Sequence, residues 1–76
     1  MSTNVLPADP DGMNDRRADW AATAIIAFIG ENCTDECDAL ADLLTDLMHW
    51  CDRNGQVFLD ELSRATINYI ADTTYE

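Results

Sequence analysis

Cys33, Cys37, His49 and Cys51 are of the types that hold a structural zinc ion. Their spacing argues against that chemistry. Ligands two apart on a helix, such as His49 and Cys51, point about 200° apart. Cys37 and Cys51 also fall in step with a line of leucines, which reads as two small core residues. A second candidate is the stretch Asp52 to Glu61, which has most of a calcium loop. Counted back from Glu61 as the bidentate ligand, Asp52, Asn54, Gly55 and Val57 fall in place, but the first ligand position falls on Trp50. A loop without its first carboxylate binds calcium poorly. No catalytic set emerges either. The one histidine has no nucleophile in a recognisable setting, Asp60 and Glu61 face different ways on a helix, and no glycine-rich phosphate loop is present. The expectation is a protein that is not an enzyme and has no metal site or cofactor.

The chemistry that remains is charge. Asp35, Asp38, Asp42 and Asp46 lie within about 80° of one another on a helical wheel, opposite Cys37, Leu40, Leu44 and Leu47. They span about 16 Å of axis at 1.5 Å per residue. One strand of DNA carries a charge about every 3.4 Å. A basic groove built for phosphates would feel a comparable field. Eleven of the fifteen acids are Asp, the poorer helix former, and the chain has no Lys. A face shaped only for solubility would more readily pair Glu with Lys at four-residue spacing. Three readings stay open: a solvated face, a mimic of nucleic-acid backbone, and adaptation to salt. The cysteines and the aliphatic residues weigh mildly against the last.

The elements that carry this row follow from apolar period. Residues 1–13 hold Pro7, Pro10 and Gly12 without a period and read as a flexible tail. Asn14 or Asp15 can cap a first helix over about 15–30, with Ala18, Ala21, Ala22, Ile25, Phe28 and Ile29 at helical steps and Gly30 and Asn32 at its end. Thr34 suits the cap of a second helix over about 35–53, with Asp35 and Glu36 in its first turn. Cys37, Leu40, Leu44, Leu47 and Cys51 form its stripe, and Asn54-Gly55 stops it. Phe58, Leu62, Ala65 and Tyr69 predict a third helix over about 58–72. The fold class is all-α: one three-helix domain over 14–76, with helices 2 and 3 as an antiparallel hairpin. Trp20 and Trp50 either close the core or form a dimer surface.

Composition bounds the rest. The chain has 76 residues and a formal net charge of −11, so self-repulsion opposes its compact state. Such a surface repels nucleic acid and anionic membranes and attracts proteins that bind them. The longest apolar run, Ala21–Gly30, is far below the roughly 18–20 residues of a membrane span. The N-terminus lacks the pattern of a signal peptide, and three cysteines suit reduced thiols better than a disulfide framework, so the expected location is the cytoplasm. Whether Cys33 joins an intermolecular disulfide stays open. Direct DNA binding by helices 2 and 3 fits poorly, because helix 3 offers only Arg64 beside Asp60 and Glu61.

The segment Leu43–Asp52, followed by Asn54-Gly55 and by Phe58 to Tyr69, resembles small proteins of phages, prophages and plasmids. They share a leucine-rich "DL–HW–D" helix, a glycine turn and an "F–L–A–Y" helix. The resemblance covers about residues 40–72. In size and acidity the chain is also similar in type to anti-CRISPR proteins, with no motif matched residue by residue. That likeness implies a non-catalytic inhibitor that docks on a basic nucleic-acid-binding protein, a type I CRISPR surveillance complex first, and excludes DNA. Asp35, Glu36, Asp38, Asp42, Asp46, Asp60 and Glu61 would supply the charge, and Trp50 an apolar anchor. The alternative expectation is a dimeric helical interaction module whose acidity serves solubility or salt adaptation.

Overall fold

The computed structural model describes residues 6–32 and 34–74. Three helices make up the fold: α1 (Met13–Asn32), α2 (Glu36–Arg53) and α3 (Phe58–Thr73). The all-α class is as the apolar periods predict, and no strand occurs among the described residues.

The start of α1 differs from expectation. Neither Asn14 nor Asp15 caps it. Asp9 does, accepting hydrogen bonds from the backbone N–H groups of Asn14 (3.0 Å) and Asp15 (3.1 Å). The Asp11 carboxylate takes the Met13 N–H at 3.1 Å. A turn closed by Gly12 N–H to the Asp9 carbonyl (3.1 Å), with Gly12 at φ 72°, brings both carboxylates to the helix start. Three otherwise orphaned N–H donors are thereby satisfied by carboxylates at the positive end of the helix dipole. Part of the segment expected to be a tail is thus capping structure; residues 1–5 of it lie outside the described residues. At the other end α1 runs through Gly30 to Asn32, whose side-chain amide donates to the Phe28 carbonyl at 3.0 Å.

The cap of α2 also differs. Asp35 holds that position in extended conformation and makes no side-chain cap bond. The expected cap, Thr34, instead donates its hydroxyl to the Asp42 carboxylate at 2.7 Å. The C-terminus follows the sequence closely. Asn54 N–H reaches the Trp50 and Cys51 carbonyls, Gln56 N–H returns to Cys51 at 2.9 Å, and Gly55 takes φ 69°, in the left-handed region that favours glycine. From Val57 the chain enters α3, whose first N–H groups at Asp60 and Glu61 return to the Val57 carbonyl.

Helix α2 is central and packs against both α1 and α3. Helices α1 and α3 are fastened at one corner. Asn14 donates from Nδ2 to the Asp72 carbonyl at 2.9 Å, and Arg17 Nε lies 3.5 Å from the Asp72 carboxylate.

The apolar stripe of α2 is not the buried core its period predicts. Ala39 and Cys51 are the buried apolar residues among those described. Leu40, Leu44 and Leu47 remain 58%, 41% and 40% exposed, and Cys37 is exposed. Trp20 and Trp50 are also exposed and do not close the core. Periodicity marks which face of a helix is apolar, while burial depends on which neighbour covers that face.

Candidate interaction surface

The acidic row occupies one side of α2. Asp38, Asp42 and Asp46 succeed one another at one-turn intervals, and Trp50 takes the next turn. Asp35 stands just before the helix as its N-cap. All four acids are exposed, as is Glu36. The described ion pairs, Arg17–Asp72 and Arg64–Glu61, both lie elsewhere, so neither offsets the row. Arg53 in the last turn of α2 supplies a cation suited to the negative end of the dipole.

Helix α1 borders the row. Phe28 and Asn32 from α1, with Thr34, Asp42, Thr45 and Asp46, line an open depression of about 320 Å³. The Thr34–Asp42 hydrogen bond crosses its rim. Asp42 and Asp46 are therefore carried on the wall of a groove. Thr34 thus gives Asp42 a hydrogen-bond partner within the chain.

Asp60 and Glu61 are carried separately, on the first turn of α3 beyond the Asn54–Gly55 turn. Asp60 is exposed; Glu61 is half-buried and engaged by Arg64 at 3.1 Å. They sit beside the C-terminal end of α2, while Asp35 and Glu36 mark its N-terminal end, about 27 Å away along an 18-residue helix. Trp50, 55% exposed, lies between these groups on the surface of α2.

A second concavity is a cleft of about 560 Å³ where the segment Leu6–Asp9 meets α1 and α3, with Ala18, Ala65 and Tyr69 on its walls. Sequence reasoning missed it. Its signal was present in Asp9-Pro10-Asp11-Gly12, a strong turn pattern that folds residues 6–9 back onto the helices. No three of the described His, Cys, Asp and Glu residues converge on a point where a metal ion would fit. No described helix is long and apolar enough to cross a membrane. Comparison with protein families, with curated proteins and with solved structures finds no match to this chain.

Proposed function

We propose that this is a non-catalytic interaction protein whose acidic α2 face docks on the basic surface of a nucleic-acid-binding protein and competes there with DNA. The observation that carries the reading is the exposed series Asp38, Asp42, Asp46, bounded by Trp50 and set apart from the described ion pairs. Successive carboxylates one turn apart rise by about 6 Å, a spacing that places several charges along a phosphate-binding groove. Charge of this kind speeds encounter and fixes orientation, while an exposed aromatic such as Trp50 adds contact area. The first target to try is a type I CRISPR surveillance complex in a bacterial cytoplasm, where a small acidic competitor would block DNA loading as an anti-CRISPR protein.

The experiment is capture from bacterial lysate with nuclease present, eluted by a salt gradient and identified by mass spectrometry. Each captured target is then assayed for DNA binding with the wild type and with Asp38→Lys/Asp42→Lys/Asp46→Lys. The reading requires elution at moderate salt. It also requires a loss of competition of at least about tenfold in the triple variant, with its helical circular dichroism unchanged. Full competition by that variant sinks it.

A second reading is favoured by one observation, the exposure of Leu40, Leu44 and Leu47. A helical module that binds through this apolar face would tolerate salt, and its acidity would serve solubility or salt adaptation.

A further inference from the structure

We propose that a second copy of this chain covers the leucine stripe of α2, making the protein a homodimer with its acidic rows turned outward. This inference concerns the face opposite the acidic row and stands whether or not that row binds a basic partner.

Area is the first argument. A folded monomer of 8.5 kDa is expected to expose about 4,650 Å². This chain exposes 6546 Å², an excess of about 1,900 Å² over that expectation. The eight residues outside the described set, even if fully extended, would explain only about 800 Å² of it. An excess of about 1,100–1,900 Å² per copy remains, and obligate dimers bury about 1,000–2,500 Å² per partner. The radius of gyration, 14.6 Å, likewise exceeds the roughly 11 Å of a compact domain of this length.

Placement is the second argument. The end of α1 lies on the acidic side of α2, where Thr34 binds Asp42 and Phe28 and Asn32 share a groove with Asp46. Leu40, Leu44 and Leu47 lie roughly 130–170° around the helix from the acids. The end of α1 therefore lies away from them, and they stay 40–58% exposed. Next to them Met48 is 48% exposed, and on α3 Leu62 and Ile70 are 47% and 55% exposed. Apolar exposure on this scale in a small protein marks a contact surface.

The stripe is complementary to itself. The stripe holds no acid or base between Leu40 and Leu47 on its own line, so it offers nothing to a charged partner. A two-fold axis through it sets leucines against leucines and keeps each acidic row on the far side of its own helix. The two copies still carry −11 each, so screening by salt should strengthen the pair.

The test is light scattering or sedimentation equilibrium on the full chain from about 1 to 100 µM, in low salt and near 1 M NaCl. The expected mass is twice that of one chain, with dimer dissociation shifted to lower concentration in high salt. Leu44→Glu/Leu47→Glu should weaken the pair by at least about 100-fold. The wild type supplies a readout independent of how that variant folds: its melting temperature should rise with protein concentration. A single-chain mass throughout this range, with intact helical dichroism and a concentration-independent melting temperature, overturns the proposal. So does assembly beyond two copies.

Discussion

Replacing Gly30 and Gly55 separately by alanine should move stability in opposite directions. Gly30 lies inside α1 in helical conformation, and a Cβ added there meets nothing within 4 Å. Alanine at such a site gains helix propensity and reduces the freedom of the unfolded chain, together about 0.5–1 kcal/mol. Gly55 is equally uncrowded, but its φ is +69°. Alanine there meets only the backbone cost of the left-handed region, about 1–2 kcal/mol, partly offset in the unfolded state. For 76 residues the unfolding entropy is about 0.16 kcal/mol/K, so 1 kcal/mol corresponds to about 6 °C. Gly30→Ala should therefore raise the melting temperature by about 3–6 °C, and Gly55→Ala should lower it by a similar amount. Thermal melts followed by circular dichroism at one fixed protein concentration provide the comparison. A fall for Gly30→Ala would mean that α1 ends there, as its sequence suggests, and would refute the longer helix. No change at Gly55 would refute the left-handed turn.

Two further outcomes follow from the described contacts. Asp9→Ala removes the acceptor of two backbone N–H groups at the start of α1 and should cost about 1 kcal/mol, or about 6 °C, in the same melts; an unchanged midpoint would show that Asp9 does not cap the helix. In a Cys33→Ser background, a thiol reagent should modify exposed Cys37 well before Cys51, which is 6% exposed; equal rates, read by mass spectrometry of the peptides, would contradict the burial of Cys51.

The helices were legible in the sequence because their apolar residues recur every three or four positions, and the end of α2 because Asn54-Gly55 is a specific stop. The start of α1 was hidden in plain view. Asp9-Pro10-Asp11-Gly12 carries its own turn chemistry, but its proline reads as irregular chain when only the apolar period is followed. Thr34 shows a different limit. Its hydroxyl can cap α2 or reach farther along that helix to Asp42, and sequence spacing alone does not decide between them. The stripe of α2 shows the same limit for packing. Leu40, Leu44 and Leu47 announce a face, and Asp38, Asp42 and Asp46 announce the opposite one. Nothing in their spacing tells that α1 would settle on the acidic side.

The tie between Asn14 and Asp72 joins positions 58 residues apart in sequence. Leu6 and Thr73 flank the same cleft. The described chain therefore nearly closes on itself, with its two ends at one corner and the Gly55 turn about 24 Å away along the 16 residues of α3. A short linker could join the ends and new termini could be opened at Asn54-Gly55, the kind of exposed turn where circular permutation succeeds. Such a permuted chain would retain α2 as the hub, with its new termini apart from the corner where Leu6 and Thr73 meet.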